Sequence, residues 1–250
     1  MSRRFLLFSD AHLDSVTAGV PRFKEIAACF DTVVNAAITK RADAVLFLGD
    51  LCDPDSVCAH AAAQEASRAA VSLAVHGIQS RWLVGNHDVV EDGTGSHVMS
   101  ALMPLNELIR EPPNGPFDST IAVYAQPSIE HICGDGGGWL IALPYVARSQ
   151  SYDPEEVIRT MAPVVGSDPV LVISHLMIEG IGPGSETTNM ARGRDVFLPT
   201  RAIRLSMGAT IASGHYHAPQ TFDGVHVVGS LVRHRLDEAA NDTGFLLIDF

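Results

Sequence analysis

Ala44-Val45-Leu46-Phe47-Leu48-Gly49-Asp50 places five apolar residues in a row and then stops on a glycine and a carboxylate. A short run without polar alternation reads as a strand buried on both faces, as the strands of parallel sheets are. The Gly–Asp pair reads as the turn that ends it. The pattern recurs along the chain. Arg4–Ser9 runs into Asp10-Ala11-His12, Arg81–Val84 into Gly85-Asn86-His87-Asp88, Pro169–Ser174 into His175, and Thr210–Ala212 into Gly214-His215-Tyr216-His217. Five apolar runs thus end in residue types that bind metals.

Helical patterns lie between the runs. From Pro21 to Lys40, apolar residues recur at Phe23, Ile26, Ala27, Phe30, Val33, Val34, Ala37 and Ile38, with Pro21 suited to a first turn. Ser56–His76 is alanine-rich and helical, and His97–Ile109 has a helical pattern. Glu111–Pro116 and Glu179–Pro199 read as loops, the second lying over a site. Ile121–Tyr124, Trp139–Leu143 and Gly244–Asp249 read as strands, with a hairpin around Asp223–Gly224. Strands alternating with helices predict an α/β class, and the absence of repeats or linkers predicts one domain over 1–250.

A hydrophobic fraction of 46% and a charged fraction of 18% exclude a disordered chain. The apolar run after Arg3-Arg4 is broken by Asp10, too soon for a signal peptide or membrane span, so a cytoplasmic location is expected. Cys29, Cys52, Cys58 and Cys133 show no CxxC spacing and read as free thiols. Cys52, Cys58 and His60 lack a fourth ligand for a zinc site. The net charge of −12 argues against a broad basic surface for nucleic acid. That objection is partial, because cations at a metal site reverse the local sign.

In open α/β sheets, ligands bind beyond the carboxyl ends of the strands, where residues distant in sequence converge. Taken singly, Asp10–His12 and Gly49–Asp50 are weak signals, and His175 alone reads as a core histidine. Gly85–Asp88 and Gly214–His217 are unusual, and all five in order point to one site: Asp10, His12, Asp50, Asn86, His87, His175, His215 and His217. Hydrolysing a phosphodiester requires neutralised phosphoryl oxygens and a hydroxide near neutral pH, and two divalent ions roughly 3.5–4 Å apart supply both. A carboxylate between the ions offsets their repulsion. A mixed nitrogen and oxygen ligand set suits Mn²⁺, Fe or Zn²⁺ better than Mg²⁺ or Ca²⁺.

The ordered set DxH, GD, GNHD, H and GHxH resembles the calcineurin-like metallophosphoesterases. The resemblance implies a four-layer sandwich, two mixed sheets flanked by helices. It also implies that Asp10, His12, Asp50 and His217 hold one metal and Asp50, Asn86, His175 and His215 the other. His87 then stabilises the transition state or protonates the leaving oxygen after in-line attack by a hydroxide between the ions. Asp88 orients His87 or the turn, or acts directly. Asp53 is either an orienting residue or a plain turn residue.

Leu143-Pro144-Tyr145, Ser185–Glu186, Gly214–Gln220, and Val228-Gly229-Ser230 with trailing Asp237–Glu238 look like the SbcD family of DNA-repair nucleases. The phosphoprotein phosphatases, with GDxxDRG and GNHE, fit worse. The SbcD resemblance implies a Mn²⁺-dependent DNA exonuclease or endonuclease acting in repair or recombination. It further implies a homodimer through the Ser56–His76 or His97–Ile109 helix, and an SbcC-type ATPase partner. SbcD proteins usually continue into a capping domain and an ATPase-docking segment, and none is expected in a chain ending at Phe250. Arg192, Arg194, Arg233, His234 and Arg235 are candidate substrate contacts. Two other readings stand beside this one: a small-molecule phosphodiesterase acting on cyclic nucleotides, favoured by the acidic charge, and a non-enzymatic scaffold.

Overall fold

The apolar runs that open the chain do become strands, and their register decides everything downstream. The computed structural model describes residues 2–90, 92, 94–108, 115–132, 137–146, 151–178, 196–222 and 224–250, leaving aside the side chains of 106–108. The Arg4–Ser9 run forms β1 (Arg4–Phe8), followed by a short hairpin of β2 (Val16–Thr17) and β3 (Val20–Pro21). Then come α1 (Phe23–Thr39), β4 (Ala44–Phe47), α2 (Ala59–Val75), β5 (Gln79–Leu83), α3 (Met103–Leu108), β6 (Ile121–Tyr124), β7 (Ser128–Ile132) and β8 (Gly138–Leu143). The second half holds α4 (Pro154–Val165), β9 (Val170–Ser174), β10 (Met177–Ile178), β11 (Phe197–Leu198), α5 (Thr200–Met207), β12 (Thr210–Ser213), β13 (Gln220–Phe222), β14 (Val225–Val227) and β15 (Leu246–Asp249).

Two mixed sheets form, ordered β15-β1-β4-β5-β6 and β13-β14-β12-β9-β8-β7. β1, β4 and β5 pair in parallel, as do β8, β9 and β12, so their carboxyl ends gather along one rim of each sheet. Side chains alternate between faces with a period of two. Phe5, Leu7, Leu46 and Leu48 of the first sheet meet Leu140, Ala142, Leu171 and Ile173 of the second in a layer between the sheets. Leu6, Phe8, Val45 and Phe47 point the other way, onto Ile26 and Phe30 of α1 and Ala62 and Ala66 of α2. Ile141, Val172 and Ile211 on the far face of the second sheet meet Ile158 of α4 and Ile203 of α5. The result is the expected four-layer sandwich. A bidentate pair, buried Arg81 with half-buried Glu130 at 2.7 and 2.8 Å, ties β5 to β7 across the sheets.

Several boundaries move for identifiable reasons. Pro21 is not the first turn of α1; it pairs with Val16 in the hairpin, and α1 begins after Arg22, whose guanidinium bonds Glu25. The His97–Ile109 pattern splits into a 3₁₀ turn at Val98–Leu102 followed by α3. Pro104 is the reason: it has no N–H to continue the ladder and is tolerated only in a helix's first turn. Helix α4 adds to the elements read from the sequence, and its signals are local: Asp153 caps it, accepting from the Glu155 N–H at 2.9 Å, and Pro154 opens it. Strand β7 is polar (Ser128-Ile129-Glu130-His131-Ile132) and, among the described residues, pairs only with β8, so no apolar run marks it. The Glu179–Pro199 loop lies outside the described residues up to 195, and Phe197–Leu198 within it form β11. Among the described residues, no helix is long and apolar enough to cross a membrane.

Candidate metal centre

At the rim, the first residues past the strands take up backbone angles that side chains usually avoid. Asp10, His12, Asp50 and His215 have φ of +50°, +40°, +63° and +76°. Each such residue costs about 1–2 kcal/mol relative to the right-handed region, and such strain persists only where the surroundings impose it. Here the two loops lock together. Asp10 N–H donates to the Gly49 carbonyl at 2.9 Å, and Ala11 and His12 N–H both donate to the Asp50 carbonyl at 2.9 and 3.0 Å. The Asp88 carboxylate, fully buried, accepts from Gly85 N–H at 2.7 Å, Asp50 N–H at 2.9 Å and Leu51 N–H at 2.7 Å. Its oxygens face backbone, so Asp88 joins the two turns. Gly85 is required by the same closeness: a Cβ there would run into the Asp50 carboxylate and its backbone nitrogen. At Gly214, which links the second sheet to the first, a Cβ would meet the Leu48 carbonyl at 2.6 Å.

Two groups of donors result. Asp10, His12 and His217 offer atoms that all lie within 4.8 Å of one another, and so do Asp50, His175 and His215. In the first group His12 Nε2 and His217 Nε2 face each other at 3.2 Å, with Asp50 Oδ2 3.6 Å from His12 Nε2. Asp10 Oδ1 is buried without a hydrogen-bond partner among the described residues. In the second group His175 donates from Nδ1 to the Leu48 carbonyl at 2.5 Å. That leaves Nε2 toward Asp50 Oδ2 at 3.2 Å and Asn86 Oδ1 at 3.1 Å, and Asn86 Oδ1 also lies 2.9 Å from His215 Nδ1.

The electrostatics divide the site: His12 and His215 are held neutral, while Asp50 and His175 face each other as an ion pair. Burial pushes the His12 imidazole well below its usual range and His215 down to about 3, so both favour the neutral, lone-pair form that binds metals. Burial, reinforced by the neighbouring Asp50 charge, pushes Asp10 up to about 6. Burial also works against ionised Asp50, yet the facing His175 holds its carboxyl well below the ordinary carboxylate range. At His175 burial again opposes the charge, but the Asp50 carboxylate outweighs it and raises the ring to about 9. Converging oxygens and imidazole lone pairs, with one orphaned carboxylate oxygen, form a donor set that fits two divalent cations sharing Asp50.

His87 stands at the opening. Its N–H donates to Asp50 Oδ1 at 2.8 Å, and its ring Nδ1 lies 2.9 Å from Asp53 Oδ1. Beside it, on the His12–His217 side, is a cleft of about 240 Å³ lined by His12, Asp14, Asp53, His87, His234 and Arg235, among others. The candidate substrate contacts fare differently. Arg235 lines the cleft. His234 lines it too but is buried, with Nε2 donating to the Asp10 carbonyl at 2.9 Å and Nδ1 2.8 Å from the Ser15 hydroxyl. Arg233 donates from Nε to the Asn241 carbonyl and is not among the lining residues. Arg192 and Arg194 lie outside the described residues. Cys29, Cys52 and Cys58 are free, and among the described residues Cys52, Cys58 and His60 form no donor group.

Glu238, in sequence only part of a trailing acidic pair, is buried, with Oε1 2.7 Å from His217 Nδ1. No periodicity or motif spacing marks that contact, since Glu238 lies on a 3₁₀ turn, Leu236–Glu238.

Fold and site together define a class: hydrolases that hold metals at the rim of a two-sheet sandwich. The sequence model of the family described as "Calcineurin-like phosphoesterase" matches residues 3–219, and this chain belongs to that family. Membership implies a metal-dependent phosphoester hydrolase. Among solved structures, the fold is similar to that of a dimetal phosphatase from Danio rerio, at a TM-score of 0.56 and 11% identity, covering 99% of this chain and 92% of that one. It is similar also to the TT1561 protein of Thermus thermophilus, at 0.56 and 10%, covering 92% and 90%. Identities this low speak to the fold alone. No curated protein sequence matches this chain.

Proposed function

We propose that this chain is a two-metal phosphodiesterase whose substrate is a DNA phosphodiester. One ion takes Asp10, His12, Asp50 and His217 as ligands, and the other takes Asp50, Asn86, His175 and His215. The carrying observation is the meeting of two donor groups, Asp10–His12–His217 and Asp50–His175–His215, at one rim beside His87. The short SbcD-like segments at Leu143–Tyr145, Gly214–Gln220 and Val228–Ser230 support the same substrate.

When bound, the two ions supply charge neutralisation at the phosphoryl oxygens and a nucleophile at neutral pH. The chain's own residues do the rest. Asp53 orients the His87 ring through Nδ1, and in the doubly protonated ring Nε2–H faces outward and gives its proton to the departing sugar oxygen. Arg235, at the lip, offers a planar cationic fork to a neighbouring phosphate. Mn²⁺ is the metal we favour for the donor set, with Fe or Zn²⁺ as alternatives.

A second reading is a small phosphodiester such as a cyclic nucleotide, and the acidic lining at Asp14 and Asp53 favours it. Incubation with Mn²⁺ and either labelled single- and double-stranded DNA or 2′,3′- and 3′,5′-cyclic nucleotides separates the two. Strand cleavage that a chelator abolishes and Mn²⁺ restores is the expected result. Fast turnover of cyclic nucleotides with inert DNA overturns the choice of substrate.

A further inference from the structure

The segment after the family match ends at residue 219 returns to the rim and closes one side of the site. Leu231 N–H donates to the Ser9 carbonyl at 3.0 Å, and beyond it the chain makes the turn that carries Glu238. This carboxylate is 1% exposed. Oε2 accepts from His234 N–H at 2.6 Å and Arg235 N–H at 3.3 Å, which caps its own turn. Oε1 points away from that turn, to His217 Nδ1 at 2.7 Å. A cap alone needs only an exposed oxygen at the turn's start. Burying the second oxygen against an imidazole carries a desolvation cost that capping does not explain.

The consequence follows from the two ring nitrogens. A neutral imidazole has one N–H and one lone pair, and a carboxylate accepts without donating. Glu238 therefore holds the ring proton on Nδ1 and leaves the lone pair on Nε2, the atom that faces His12 Nε2 at 3.2 Å in the Asp10 group. Carboxylates placed behind ligating histidines set tautomer and ring orientation and raise ligand basicity.

We propose that Glu238 is the positioning residue of His217 and governs binding at the Asp10–His12–His217 side of the centre only. The inference rests on the two-metal reading. The opposite side has its own anchor, because His175 Nδ1 is fixed by the Leu48 carbonyl, a backbone group. Glu238→Gln is the informative change. The amide oxygen keeps the two backbone N–H donors, so the NH₂ group must face His217 Nδ1. The imidazole then accepts at Nδ1 and carries its proton on Nε2, where an ion would bind.

The test uses the full chain, stripped with chelator and titrated with Mn²⁺ by calorimetry, with bound metal counted. Histidine ring ¹⁵N–¹H spectra of the metal-free protein and thermal unfolding complete it. Wild type should bind two ions with His217 as the Nδ1–H tautomer. Glu238→Gln should show Nε2–H at His217 and lose roughly 10–100-fold in affinity for one ion, the other unchanged. Glu238→Ala should weaken the same ion with a mixed tautomer, and if it fails to fold, the near-isosteric Gln variant decides. Two ions bound as in wild type by the variants, or a fall in melting temperature with both affinities and the tautomer unmoved, overturns the role of Glu238. A wild type that takes up no Mn²⁺ overturns the two-metal reading instead, a distinct outcome.

Discussion

The two sides of the centre are built from different materials. On the His175 side, the ring is anchored by the backbone carbonyl of Leu48, at the end of a core strand, and faces Asn86 and Asp50 from adjacent strand ends. On the His217 side, the ring is anchored by a side chain, Glu238, brought in by a late turn that lies beyond the family match. The difference teaches where each side is vulnerable. A carbonyl at a strand end cannot be lost without losing the sheet, whereas a carboxylate on a turn can be removed by one substitution.

Asp50 touches both sides, and its substitution should erase the comparison. Asp50→Ala should abolish hydrolysis and remove both ions, read by metal analysis and by turnover of a generic phosphodiester. Retention of two ions with activity would refute the shared-ligand arrangement. His87→Ala tests whether chemistry is separable from binding. We expect turnover to fall about 10²–10⁴-fold with metal content intact, and full activity would dismiss its role as proton donor.

The next two changes sharpen the picture from outside the ligands. Asp88→Asn puts an amide where three short N–H donors converge, leaving donors opposed in a buried space. A loss of roughly 1–3 kcal/mol in unfolding free energy is expected, measured by denaturant titration; an unchanged midpoint would mean that the turns hold without it. Asp53→Asn should lower turnover by about 10-fold or somewhat more while leaving both metal affinities in place, since its carboxylate addresses the His87 ring. Equal metal loss in this variant would show that the opening and the ligand shell are one unit.

The smallest effect lies away from the centre, at His97. Burial pushes its imidazole below the ordinary histidine value, and its Nδ1 has no partner among the described residues. The sign follows from linkage: below about pH 6.5 the unfolded chain takes up a proton that the folded one resists. Stability is therefore present above that pH and is lost as pH falls. His97→Gln should show a shallower loss between about pH 7 and 5.5 in thermal melts, and an identical slope would exclude this contribution.

Much of the fold was legible because its signals are local. A run as short as Ala44–Leu48, closed by Gly49, reads as a buried strand, and the amphipathic period over Phe23–Ile38 reads as a helix with one face covered. The strand-end motifs were legible for the same reason. Each ligand follows its strand immediately, so spacing alone marks it. What escaped was non-local. Polar β7 brings Glu130 to Arg81 across the sheets, and nothing in Ser128–Ile132 announces that. His234 looked like a substrate contact from its loop, but its ring nitrogens turn inward to Asp10 and Ser15.

By itself the amino-acid sequence determined the α/β class and which side chains stand at the ends of buried strands. Both follow from hydrophobic period and turn chemistry, which act over a few residues. Only the tertiary structure decided that Asp50 lies between two donor groups and that Asp88 knots two turns. It alone set Glu238 behind His217. Those relations join positions 21 to 205 residues apart through sheet register and strained loops, and no interaction between chain neighbours encodes them.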